Sequence, residues 1–186
     1  GQGRAAIITF KDSPELDQQF TNDIGALEST LSSINGAGGD DAAEDVSGGM
    51  ETALEDLNWQ NGMKKAMVVV NNAGAHDCGK LSNLATEAKN QGLRVFTVAD
   101  VNANLCKEEI KTEIPSKTEG ETFSISDSWA STMNEISGEI GGKSKKVGGR
   151  STCTLTPVKK YDGSAQIIFA ADSSASFNDE WNTICN

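Results

Sequence analysis

Residues 165–176 read AQIIFAADSSAS (Ala165 to Ser176), a short apolar run that ends in an aspartate and three serines. The run is β-strand length and is not interrupted by charge, as expected of a strand buried on both faces of a parallel sheet. Asp172, Ser174 and Ser176 then form D-x-S-x-S, a carboxylate and two small hydroxyls in a tight turn that opens a helix. Hard cations that seek oxygen, such as Mg²⁺, suit that set. Helix capping by Asp and Ser is the competing structural explanation.

The remainder of the chain repeats the same alternation. Apolar runs at 5–10 (AAIITF), 66–70 and 94–99 (RVFTVA) read as strands. Residues 15–20, after Ser13-Pro14, suit a short edge strand that pairs back. Helical spacing marks 23–34 (Ile24, Leu27, Leu31, Ile34), 43–57 (Val46, Met50, Leu54, Leu57) and 81–88. It also marks 105–114, ending before Pro115, and 128–140, with Asp127 or Ser128 as cap. Residues 121–126 and 151–161 alternate like strands, and 177–185 reads as a short helix. Strands interleaved with helices specify an α/β fold, a doubly wound, mostly parallel sheet with helices on both faces.

Ligands of such sheets sit at the carboxyl ends of the strands. Two more loops there carry oxygen donors. Gly38-Gly39-Asp40-Asp41 with Glu44 and Asp45 is an acidic turn at a helix start, and Asn71-Asn72 with His76 follows the strand at 66–70. Acids at a helix start also complement its macrodipole. Three donor loops on one edge favour a metal site over three coincident caps.

In this arrangement the sequence resembles the von Willebrand factor type A (vWA) domain, whose hallmark is a metal-ion-dependent adhesion site. The family's D-x-S-x-S matches Asp172, Ser174 and Ser176, and its G-G-x-D-x-P-E-D matches residues 38–45 with alanine in place of proline. Phe10-Lys11-Asp12, residues 68–76 and residues 92–98 match further family segments, so that the resemblance spans 4–140 and 165–186. It implies Mg²⁺, with Ca²⁺ or Mn²⁺ as alternatives, held by Asp172, Ser174, Ser176, Asp41 or Glu44, and Asn72. It further implies a protein ligand that donates a carboxylate to the metal, and metal-dependent adhesion outside the cell. Asn72 stands where the family usually has aspartate, which removes one negative charge.

The order also departs from the family, in which D-x-S-x-S comes first. Here it comes last, after the basic, Gly-rich stretch 141–149 (GGKSKKVGG) within a connecting segment 141–164. One vWA-like domain over 1–186 is expected, with 1–140 as the body and 165–186 as the displaced first strand and helix start. Three arrangements follow: a self-contained circular permutant, a fragment spanning two repeats, or insertion of 165–186 into a neighbouring copy. The last would make a structural subunit of a secreted matrix or filament, assembled head to tail.

Composition bounds the partners. Acidic residues outnumber basic ones 27 to 16, a net charge of −11, which opposes nucleic acid and anionic membranes. No apolar run approaches the ~20 residues of a membrane span. A start at Gly1 without an apolar leader is expected of a mature or excised piece. The four cysteines allow two disulfides in an oxidising compartment, or four thiols. Cys78 and Cys106 follow adjacent strands on the ligand edge and suit a bridge, which would leave Cys153 to Cys185. No N-x-S/T sequon supports secretion. No enzyme is expected: Gly142-Lys143-Ser144 lacks the glycine a phosphate loop needs at Ser137, and His76 has no nucleophile aimed at it.

Overall fold

The computed structural model describes residues 3–36, 43–100, 105–141 and 164–174. Its centre is a six-stranded sheet built from β1 (Arg4–Phe10), β2 (Pro14–Thr21), β4 (Lys64–Asn71), β6 (Leu93–Ala99), β7 (Thr122–Phe123) and β8 (Ala165–Asp172), in the order β2-β1-β8-β4-β6-β7. All neighbours are parallel except β1 and β2, which form an antiparallel hairpin. A separate two-stranded ladder joins β3 (Ala43–Glu44) to β5 (Gly74–Ala75).

Alternation along each strand explains how both faces are filled. On one face Ile8, Phe10, Met67, Val69, Ile168 and Ala170 pack under helices α2 (Val46–Glu55) and α3 (Cys78–Asn90). On the other, Val68, Val70, Phe96 and Ala171 meet Leu31 of α1 (Ile24–Ser33) and Ile136 and Ile140 of α5 (Trp129–Gly141). Each buried Leu, Ile, Val or Phe contributes about 1.5–3 kcal/mol, and strands covered on both sides read as the uninterrupted apolar runs seen in the sequence.

The last strand of the chain is therefore the central strand of the sheet. β8 pairs from Gln166 to Asp172 with β1 and from Ala165 to Ala171 with β4. Close packing extends to α2, where a Cβ on Gly49 would come 2.7 Å from the Phe10 ring. Gly49 thus lets the helix start settle onto the end of β1.

Three local expectations are corrected. Residues 43–44 are extended rather than helical, because Asp45 caps α2 by accepting from the Gly48 amide at 2.7 Å. The helix expected to stop before Pro115 instead runs as a π-helical turn, Glu109–Glu113, into α4 (Ile114–Lys117). Proline is tolerated there because it sits in the first turn of α4, where its missing N–H is not needed. The strand expected over 121–126 is confined to β7; beyond it, Ser124 and Ser126 bond to Asp100 instead of extending the ladder. The expected strand at 151–161 and helix at 177–185 lie outside the described residues.

Candidate functional site at the carboxyl edge

β1, β8, β4 and β6 all point their carboxyl ends to one edge, where Phe10 pairs with Asp172, Val70 with Ala171, and Asn71 with Ala99. Asp172 has alternated onto the α2–α3 face with Ile168 and Ala170, and it is fully buried. Its Oδ1 accepts the Ser174 amide at 2.8 Å, closing an Asx turn that brings the chain back over the strand end. Ser174 and Ser173 are buried as well, and both the amide and the hydroxyl of Ser173 donate to the Phe10 carbonyl, at 2.9 and 3.3 Å. The first two members of D-x-S-x-S are thus set by the ends of two adjacent strands.

Glu44 reaches the same edge by another route. It is 1% exposed, lies in β3 and pairs with Ala75, just beyond the β4 loop. The next residue, Asp45, donates its amide to the Lys11 carbonyl at 2.6 Å, which ties the acidic loop to the end of β1. The Asp45 carboxylate is spent on α2, accepting from Gly48 and from the Ser47 hydroxyl at 3.0 Å. Asn72 lies half-buried between β4 and β5. The structure thus brings Asp172, Ser174, Glu44 and Asn72 to one edge, whereas Asp41 and Ser176 fall outside the described residues.

Two contributors were not among the ligands expected from sequence, although Asn71 stood in one of the donor loops. Asn71 is fully buried on the same sheet face as Asp172; its Oδ1 accepts from Ala73 N at 3.1 Å and its Nδ2 donates to Ala73 O at 2.8 Å. The signal for it was the alternation Met67, Val69, Asn71, which puts an amide where the strand's inward face ends. Asp100, after β6, accepts from the Ser124 hydroxyl at 2.8 Å and from the Ser126 amide at 3.3 Å, making a further polar turn on this edge.

The charge balance at the mouth is mixed. Lys80 of α3 donates to Glu51 of α2 at 2.8 Å. That bond holds its ammonium above the ordinary lysine range against the cost of burial, with Asp45 and Asp77 adding weaker attraction. Cys78 at the start of α3 is bonded to Cys106 after β6, with Cα atoms 5.0 Å apart, so the loops that follow β4 and β6 are fastened together. Cys153 and Cys185 lie outside the described residues. Cys78, Cys106 and Glu109 are the one group of three such side chains within 4.8 Å found among the described residues. Its sulfurs are consumed by the bridge. The oxygen donors that lie along the edge with Asp172 are a different set, and carboxylate, hydroxyl and amide oxygens are the ligands Mg²⁺ and Ca²⁺ prefer.

A central parallel sheet, its antiparallel β2 edge and its two helical layers are found together in known structures. A crystal structure of the conserved hypothetical protein BatB from Bacteroides thetaiotaomicron superposes with a TM-score of 0.59 at 18% identity, over 75% of this chain and 78% of that one. The fold is vWA-like. The crystal structure of the SpRpn10 VWA domain agrees, with a TM-score of 0.50 and 16% identity over 65% of this chain and 64% of that chain. No family model and no curated protein matches the sequence. Among the described residues of this vWA-like chain, no helix is long and apolar enough to cross a membrane.

Proposed function

We propose that the chain is a non-enzymatic protein-binding module that works outside the cell through a divalent cation at the carboxyl edge of its sheet. The observation that carries this reading is Asp172: a carboxylate buried at the end of the central strand, shaped by its own turn, on the edge shared by Ser174, Glu44 and Asn72. Carboxylate, hydroxyl and amide oxygens of the kind that share this edge are the ligands hard divalent cations prefer. Asp172, Ser174 and Glu44 would hold Mg²⁺, or Ca²⁺ or Mn²⁺, with Asn72 giving a neutral oxygen directly or through water. Ser176 and Asp41 complete the set by sequence. A carboxylate from the protein ligand would take the remaining position. The net charge of −11 then favours a ligand that reaches the edge through the metal rather than by general attraction. The Cys78–Cys106 bridge is in keeping with an oxidising, extracellular setting.

Calorimetric titration with Mg²⁺ and Ca²⁺, with Asp172→Ala as control, tests this directly. Saturable binding is expected in the wild type and not in the variant. A wild type that binds neither ion ends the adhesion mechanism. A second reading, a structural subunit of a secreted matrix or filament, is favoured by the central position of the chain's last strand.

A further inference from the structure

β8 holds the sheet together, yet a long stretch of sequence separates it from the rest of the described body. Without it the sheet falls into two parts, β2-β1 and β4-β6-β7, since β1 and β4 touch the centre only through β8. Its side chains enter both apolar layers: Ile168 and Ala170 on one face, Ala165 and Ala171 on the other. Covalently, β8 is joined to the rest of the described body by the 22 residues from 142 to 163.

That connection is far longer than closure requires. Lys64 donates its amide to the Ser164 carbonyl at 3.0 Å and its ammonium to the Ile140 carbonyl at 2.7 Å. One lysine therefore bridges the end of α5 and the start of β8, so the two carbonyls lie within about 13 Å at full side-chain extension. Four residues would cross that gap. Twenty-two extend to about 70 Å, well beyond the ~40 Å diameter of a domain this size.

We propose that β8 is a shared strand: besides closing its own chain's sheet, it completes the sheet of a second copy. Both ladders and both packed faces are the same in the exchanged form, so the balance is set by chain entropy and concentration rather than by new contacts. Closure within one chain does not depend on concentration whereas exchange does, so dilute chains close on themselves and concentrated ones exchange. Exchange also divides the candidate site. Asp172 and Ser174 arrive with the donated strand, whereas Glu44 and Asn72 belong to the receiving chain. Each completed edge then contains residues of two copies. The inference rests on the head-to-tail reading for its setting, and it needs no cation.

Two full-length variants provide the test, in EDTA so that metal binding plays no part. Ile168→Asp spoils the donated strand and leaves the slot intact; Val68→Asp spoils the slot and leaves β8 intact, both positions being fully buried. Refolded together, they are expected to give a 1:1 complex by native mass spectrometry with a cooperative melt that neither shows alone. In parallel, wild-type chains of normal and heavy isotope content are refolded together at about 1 mM and at about 10 μM. Mixed-mass species are expected, with the dimer-to-monomer ratio falling in proportion to free monomer, by up to about 100-fold across that dilution. Single-mass monomers at both concentrations, or no 1:1 complex from the variant pair, overturns the proposal. Exchange that stops at closed two-chain species supports it while ending the filament reading.

Discussion

Two neighbouring strands end in the same device with different chemistry. β4 ends in Asn71 and β8 in Asp172; both side chains are fully buried, and each accepts the amide two residues ahead, Ala73 and Ser174 respectively. The asparagine also has a donor, which closes on the Ala73 carbonyl, so its turn is neutral and satisfied from within. A carboxylate has no donor and cannot close in that way. Asp172 therefore presents oxygens where Asn71 presents an oxygen and a donor. The backbone needs only the turn, which either residue can close; the choice of Asp over Asn at the central strand is what the proposed cation site would account for.

The largest way to break this comparison is to loosen a strand beneath its turn. Ile168→Ala leaves a cavity in the fully buried centre of β8 and should cost about 2–5 kcal/mol in urea unfolding. Loss of less than 1 kcal/mol would mean that β8 is not packed as the sheet's centre. Next is the bridge, which belongs to the β4 side alone. Replacing Cys78 and Cys106 by serine opens a loop of 28 residues and should cost about 3 kcal/mol. Hydrogen exchange should then quicken at Ala73 and Ala75 more than at Ser174. Equal loosening of both loops would show them to be one cooperative unit.

The turns themselves can be interchanged. Asn71→Asp removes the donor to Ala73 O and sets two acceptors against each other in a buried place, for an expected cost of about 1–3 kcal/mol at neutral pH. Asp172→Asn is the reverse exchange. Its carbonyl still accepts from Ser174, so the melting temperature should change little, while Mg²⁺ affinity should fall about 10- to 100-fold. Unchanged affinity would place the cation elsewhere.

Much of this was legible in the chain. The long parallel strands announced themselves because a strand covered on both faces leaves an apolar run, as 66–70 does within β4, whereas polar β2 was marked by the Ser13-Pro14 turn before it. The position of β8 did not follow from propensity. It took the resemblance to place the last strand at the centre, since order within a sheet depends on pairing across many residues. The site was half legible. Asp172 and Ser174 lie in a motif, and Glu44 in an acidic run whose companion Asp45 proved to be a cap. Asn71 was named as a strand-end amide but not given a role, because that role depends on which way a side chain faces at the strand end. Residues 43–44 were misassigned for a related reason: their pairing with Gly74–Ala75 is non-local, and no window around them contains it.

The smallest predicted effect lies at the far edge of the sheet and sharpens the contrast between a carboxylate assigned to a proposed ligand and one that the backbone explains. Pairing of β1 with β2 shifts register around Ile7 and Ile8, and there Asp17 of β2 accepts the Thr9 amide at 2.8 Å, taking the place of a ladder bond. Partial burial raises its carboxyl above the ordinary value of 3.8, against the lowering effect of the Thr9 bond and with a further push from Glu15. A raised value in the folded state means that the charged form is the less favoured there, so stability is lost as pH rises through the folded pKa. Asp17→Asn keeps an acceptor for Thr9 and carries no charge. Its melting temperature relative to wild type should therefore be higher at pH 7 than at pH 3, by an amount equivalent to less than about 1 kcal/mol. The opposite sign would mean that the Thr9 bond outweighs burial, so that Asp17 is stabilised as a carboxylate by the strand it repairs.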